Sequence, residues 1–253
     1  MNLTVLTALF VLLFGTIIGS FLNVLIYRIP LKLDFVKGRS FCPSCHHELG
    51  ALDLFPVFSY LFLGGKCRYC KTKISLRYPT IELLTGILYT LVYLRYGWSV
   101  ETLIGIVLAS DLIVLAMIDH DTLEFADGFS ALVLVLGIAF LVLNYEKTVL
   151  FDAMIGMVVI SVPMYLIAYF TGGFGGADIK LMAAAGVLLG YKYVLVAFFV
   201  GVIFGGTQAV ILLRKGKDKK TMMPFGPHLA IGIMLAYLYG KPILDWYLGF
   251  FVR

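Results

Sequence analysis

Apolar residues along this chain run in long blocks rather than alternating with polar ones. Eight such blocks, near 3–27, 80–94, 102–118, 128–144, 148–170, 178–190, 193–213 and 227–240, are set apart by Pro, Gly and charged residues. The longer blocks approach the roughly 20 residues that a membrane helix needs. No stretch alternates with period two over about ten residues, which argues against a β-barrel. The pattern predicts an all-α polytopic membrane protein of about eight transmembrane helices. Its one sizeable polar interruption predicts a small domain outside the bilayer, so the chain divides into a first transmembrane helix at 1–27, a polar domain at 28–79 and a transmembrane domain at 80–253.

Composition agrees. Of 253 residues, 61% are hydrophobic and 14% charged, and the mean hydropathy is +0.97; a soluble domain has about 25% charged residues. The placing of the cations says more than the net charge of +5. If residues 28–79 face the cytoplasm, fifteen of the twenty Lys and Arg fall on that side, and only Arg95, Lys147, Lys192, Lys241 and Arg253 fall outside. The positive-inside rule then puts the N-terminus outside. The run Arg214, Lys215, Lys217, Lys219 and Lys220 meets the same rule and suits anionic lipid headgroups equally well. The first apolar block lacks a basic start and a small-residue cleavage site, so it is expected to stay as a permanent helix. No nucleic acid is expected among the partners.

All four cysteines lie in the polar segment, as Cys42-Pro-Ser-Cys45 and Cys67-Arg-Tyr-Cys70. Two pairs at this spacing suit one tetrahedral zinc held by four thiolates, a closed and structural site. Two disulfides are the alternative, disfavoured in a reducing cytoplasm. His46 and His47 are neighbouring alternatives as ligands, or solvated loop residues. Glu82, at the start of the second block, is expected to pair with Arg77 or with a backbone amide. Gly19, Ser20 and Asn23 share one side of the first helix, as a packing seam does.

The acids stand out from the apolar blocks. Thr171–Leu181 is a hinge with four glycines that brings Asp178 to the mouth of a helix. A carboxylate at membrane depth costs about 2.5–3.5 kcal/mol on insertion scales, so one that is kept is normally used; an Asp at a helix start is also simply favoured by the helix dipole. Asp111 lies within the third block and Asp119 ends it, followed by Asp121, Glu124 and Asp127. The topology returns residues 119–127 to the same side as Asp178. Asp121 and Glu124 read as a solvated acidic turn and Asp152 as a cap or surface residue. Two aspartates meeting at a wet membrane surface share one proton and form the working parts of an aspartic protease.

The motifs, taken together, resemble the type IV prepilin peptidases, membrane aspartyl proteases of the glycine-x-glycine-aspartate type. Gly19–Pro30 is similar to the family's first-helix motif. Cys42-Pro-Ser-Cys45, Gly65–Cys70, Ile74–Pro79 and Glu82–Gly86 resemble its cytoplasmic tetracysteine domain. Ile118–Asp127 and Gly175–Leu181, followed by Ala183–Gly186, resemble its two catalytic stretches, and Pro224–Pro227 its last landmark. The resemblance implies that Asp119 and Asp178 are catalytic. It implies substrates that are type IV prepilins or pseudopilins, with a basic leader, a glycine before the cut and a hydrophobic helix after it. Asp121, Glu124 and Asp127 would attract the leader, with Gly175 and Gly176 beside the substrate. It also implies a bacterial cytoplasmic membrane, an active site facing the cytoplasm, and S-adenosylmethionine as methyl donor for the new amino terminus, although no adenosine fingerprint is legible. Ala177 and Ala126 depart from the family pattern, which has glycine and proline there. Two other classes compete: an ion-coupled transporter using Asp111, Asp119 and Asp178, which should show paired broken helices, and a non-catalytic assembly scaffold working through its zinc loop.

Overall fold

The computed structural model describes residues 3–144, 147–216, 218 and 222–250. Lys217, Lys219 and Lys220 of the basic run, Arg253 and the side chain of Lys147 lie outside the described residues. Among those described, the chain is helical apart from loops and two isolated bridges, Phe41 to Glu48 and Lys66 to Lys73. It is an all-α polytopic membrane protein with a small tetracysteine loop, and it divides into two compact units, Met1–Val114 and Leu115–Arg253.

The first unit holds α1 (Leu3–Arg28), the short α2 (Phe58–Phe62), α3 (Arg77–Tyr96) and the greater part of α4 (Val100–Thr122). α1 lies directly on α3. A Cβ on Gly15 would stand 2.7 Å from Gly86 Cα, and one on Gly19 would stand 2.7 Å from Glu82 Cα. Asn23 donates across the same seam to the Tyr78 carbonyl at 3.2 Å. The expected packing seam is therefore present, with backbones close enough to exclude any side chain. The opposite face of α1 exposes Phe10, Leu13 and Ile17, as a lipid-facing helix does. At its end the buried Arg28 donates to the carbonyls of Asp34, Lys37 and Arg39 and so ties the following loop down.

The second unit takes the last turns of α4 and adds α5 (Asp127–Leu143), α6 (Lys147–Val159), α7 (Ser161–Thr171), α8 (Gly176–Arg214) and α9 (Gly226–Gly249). α8 is its centre, with α5, α6, α7 and α9 all packed on it. Gly186 of α8 meets Gly156 of α6 backbone to backbone; a Cβ on Gly186 would collide with the Gly156 carbonyl. The collision is with main chain, which no rotamer relieves. Gly186→Ala is accordingly expected to cost about 1–3 kcal/mol and to lower the thermal midpoint in detergent. Gly128→Ala, where a Cβ meets nothing within 4 Å, is the control and should leave the midpoint unchanged or slightly raised.

Four stretches are long and apolar enough to cross a membrane: α1, α4, Val149–Thr171 and α8. α5 is apolar but shorter, and α3 and α9, at 20 and 24 residues, are more polar. Two details differ from the expected spans and one agrees. The block at 148–170 is two helices parted at Ile160, because Pro163 has no N–H for the carbonyl one turn back. The expected boundary between blocks 178–190 and 193–213 is present within α8, where Gly190, with a φ of 73° and ψ of 170° that suit glycine alone, breaks the helix. The last helix runs on to Gly249, kinked at Tyr239 just before Pro242.

Candidate active site

Two buried carboxylates meet in the second unit. Asp119 sits in the last turn of α4, at 5% exposure, just before Leu123 ends the helix with a φ of 61°. Asp178 is the third residue of α8, at 9% exposure. Asp178 lies within reach of the charge of Asp119. The hinge between α7 and α8 uses its glycines in different ways. Gly172 caps α7 in the left-handed conformation and donates to the Ala168 carbonyl at 2.8 Å. Gly175 is extended, and a Cβ there would come 3.3 Å from Asp178 Oδ2. Gly176 borders open space.

The two carboxylates are held differently. The Gly226 N–H, at the start of α9, donates to Asp119 Oδ2 at 2.8 Å. Among the described residues Asp178 Oδ1 has no hydrogen-bond partner although it is buried. Such an atom is costly unless something occupies the space before it. Close to Asp119 stands His228, also buried and, among the described residues, without a hydrogen-bond partner at Nδ1. Its ring lies 6.2 Å from that of Phe225, which in turn lies 5.6 Å from Phe174 of the hinge. Neither His228 nor the Gly226 amide was picked out from the sequence as a neighbour of Asp119. Gly226 stands 107 residues from Asp119, and only the run Pro224–Pro227 marked the place.

The remaining acids are arranged around the rim. Asp121 and Glu124 are exposed, as expected of an acidic turn. Asp127 at the start of α5 accepts from Lys180 Nζ at 2.7 Å, an exposed ion pair between α5 and α8. Asp111 is buried in the first unit with Oδ2 unpartnered. The two departures from the family pattern are conformationally quiet. Ala126 has a φ of −70° and ψ of 144°, the backbone that a proline would adopt. Ala177 lies within the first turn of α8, where alanine is the best helix former.

The four cysteines form a second cluster, in the first unit. Two similar knuckles are closed by Cys42 N–H to the His47 carbonyl and Cys67 N–H to the Thr72 carbonyl, with His46 and Lys71 at φ of 56° and 61°. All four Sγ lie within 4.8 Å of one another, and none is in a disulfide. Cys42 and Cys70 stand 3.8 Å apart, close to the edge of a tetrahedron with zinc–sulfur bonds of about 2.3 Å and far from a disulfide. Thr72 beside Cys70 pulls that thiol down to about 6, while, against a backbone hydrogen bond at His47, burial and the neighbouring thiols push Cys45 up to about 11. His46 and His47 make ring contacts with Phe41 and Tyr69 instead of joining the sulfurs. Asp53 accepts from Arg68 Nε at 2.6 Å and from Tyr69 at 3.2 Å, fastening the second knuckle. The Arg68 guanidinium holds the Asp53 carboxyl below its ordinary range.

Comparison with known proteins bears on both clusters. Residues 13–96 match the bacterial peptidase A24 N-terminal domain, and residues 106–210 match the type IV leader peptidase family. A prepilin leader peptidase/N-methyltransferase of Bacillus subtilis (strain 168) is 36% identical over 244 residues, which is 93% of this chain and 96% of the relative. A protein of the same name from Neisseria gonorrhoeae is 34% identical, covering 94% of each chain. Another, from Aeromonas salmonicida (strain A449), is 35% identical over 94% of this chain and 93% of the relative. No solved structure matches the chain. With both family domains present in order and relatives of this identity along nearly its whole length, the chain belongs to the type IV leader peptidase family.

Proposed function

We propose that this membrane protein is an aspartic endopeptidase that removes the basic leader of type IV prepilins and pseudopilins after a glycine and N-methylates the new amino terminus. The observation that carries the reading is the buried pair Asp119 and Asp178, held by α4 and α8 beside a glycine hinge. Asp178 is within reach of the charge of Asp119, and neighbouring carboxylates of an aspartic dyad share one proton and titrate as a unit. The ionised aspartate takes a proton from the attacking water, and the protonated one donates to the scissile carbonyl oxygen. The Gly226 amide fixes the plane of the Asp119 carboxylate, while the unpartnered oxygen of Asp178 is left for water or substrate.

Gly175 and Gly176 offer the substrate backbone an approach without side chains. Asp121, Glu124 and Asp127 would attract the basic leader by their charge, with Asp127 also paired to Lys180. The excess of cations in residues 28–79 supports an active site facing the cytoplasm of a bacterial membrane, with lipid around the exposed apolar faces. The domain division is then a first helix at 1–27, a cytoplasmic domain at 28–79 and a protease domain at 80–253. Cys42, Cys45, Cys67 and Cys70, with their sulfurs clustered, would hold one structural zinc and so clamp that cytoplasmic domain. S-Adenosylmethionine would supply an electrophilic methyl group: the amine nitrogen forms the new bond to carbon, the sulfur–carbon bond breaks with its electron pair on sulfur, and the nitrogen loses a proton.

The test is cleavage of a synthetic prepilin by the purified protein in detergent, with and without S-adenosylmethionine. A cut after the glycine and a methyl mass shift on the mature product are expected; an intact precursor under every condition refutes the reading. Gly226→Ala probes the geometry. A Cβ there would stand 2.7 Å from Asp119 Oδ2 and displace that carboxylate. The expected loss is about tenfold to a hundredfold in kcat, since a misplacement of ~1 Å costs on that order, with KM little changed. An unaltered kcat would show that this amide does not position the dyad.

A further inference from the structure

The first unit contains a cavity of about 430 Å³, lined by α1, α3 and the tetracysteine knuckles. That size falls within the ~300–1,000 Å³ of small-molecule sites. Leader cleavage, as derived above, makes no use of it. Its walls include the rings of Tyr27, Tyr60 and Tyr78, the two buried cysteines Cys42 and Cys67, and the carboxylate of Glu82.

Glu82 is the informative group. It is 8% exposed; its Oε2 accepts from the Val57 N–H at 2.7 Å, which fulfils the expectation of a backbone amide partner. Ser20, also lining the cavity, is a second neutral donor. Of the cations in the same lining, Arg28 is bound to three carbonyls, Arg68 is paired with Asp53 and Lys73 is exposed, so the neutral donors orient the carboxylate and leave its charge to be met by something else. The hydrogen bond is made by a β-branched residue in an unfavourable conformation, Val57 at a φ of 63° and ψ of −51°. Backbone held this way persists only where its surroundings hold it, and it gathers at ligand clamps.

We infer that this cavity is the methyl-donor site, taking an adenosyl sulfonium ligand with Glu82 as counter-charge to the sulfonium. The inference rests on the methyl-transfer part of the function proposed above. The residues fit the group. Tyrosine faces suit both stacking of an adenine ring and contact with an onium cation, and a buried carboxylate favours the cation. The thioether left after methyl transfer is neutral, so the same carboxylate distinguishes donor from spent product and speeds the exchange of one for the other. Because Cys42 and Cys67 form part of the wall, the metal-clamped knuckles have a task in this site beyond fastening a loop.

Glu82→Gln tests it, since glutamine keeps an acceptor for the Val57 N–H and loses only the charge. Equilibrium binding of S-adenosylmethionine and S-adenosylhomocysteine is measured on the full-length zinc-bound protein in detergent. The wild type should prefer the sulfonium by about tenfold, the equivalent of 1.4 kcal/mol. Glu82→Gln should bind both ligands alike, its affinity for the thioether unchanged, with retained leader cleavage showing that it is folded. A sulfonium preference that survives in Glu82→Gln overturns the inference. Photolabelling of the wild type with an azido-adenosyl analogue gives an answer that needs no variant: label within residues 20–82 supports the site, and label confined to 115–250 overturns it. A wild type that methylates prepilin while failing either test loses only this inference; one that neither binds nor methylates loses the methyl-transfer reading as well.

Discussion

Asp178→Asn is expected to lower leader cleavage by about a thousandfold or more while leaving the protein folded. The same holds for Asp119→Asn. General acid and general base assistance each contribute about 10²–10⁴-fold, and here both depend on one proton shared between two carboxylates, so loss of either partner removes both. Asparagine has the shape of aspartate, and at 9% and 5% exposure both sites are packed. Replacing one member of a buried pair that shares a single proton by its neutral isostere does not threaten the fold. The double variant should be no worse than either single one, because the pair acts as a unit. Single-turnover cleavage of a synthetic prepilin, with thermal unfolding measured alongside, decides the matter. Retained cleavage in both variants would remove the dyad from the mechanism, and Asp111→Asn, altering a buried acid in the other unit, should leave cleavage near the wild-type rate.

The second large effect is expected at the cysteines. The wild type should carry one zinc per chain, and Cys42→Ser or Cys67→Ser should lose it. Zinc contributes about 10–16 kcal/mol in small zinc-finger peptides, as much as the whole stability of an ordinary domain. The loop between α1 and α3 has little else to replace it: the three carbonyls held by Arg28, the Asp53 cluster and the Glu82–Val57 bond. Loss of metal should therefore open residues 34–76 to limited proteolysis while the helices of the second unit stay protected. Cleavage should fall only as an indirect consequence. Protein purified with no zinc, or with two disulfides, would refute the metal reading; metal analysis and thiol titration read the two cases apart.

The apolar blocks and the cysteine spacing were legible because each is a local property: a helix of membrane length and a C-x-x-C knuckle are written within 25 residues or fewer. The division of the 148–170 block at Ile160 was written there too, in Pro163, but a proline in a membrane helix is compatible with either a kink or a break. Gly190 marked the boundary between two blocks correctly, and its φ and ψ show why: the helix is broken there at a conformation that suits glycine alone. Of the candidate site, both aspartates could be singled out because charge in an apolar block is conspicuous. What could not be read were the partners. The Gly226 amide is main chain and leaves no mark in the residue pattern, and His228 is one histidine among four. Lys180 lies two residues from Asp178 and was counted for topology alone, while its ion pair spans 53 residues to Asp127. Non-local pairing of this kind depends on helix register, which hydropathy does not encode.

The left-handed Leu123 that closes α4 has a practical consequence. The turn at 123–126 is a natural place to divide the chain, since it lies between two complete helices, whereas the boundary between the compact units falls inside α4. A chain cut in that turn yields one fragment bearing Asp119 and another bearing Asp178, each with half of a catalytic pair and no activity of its own. Co-production of the fragments makes proteolysis a direct report of membrane assembly, in which product appears only where separately inserted helices have found each other in the bilayer.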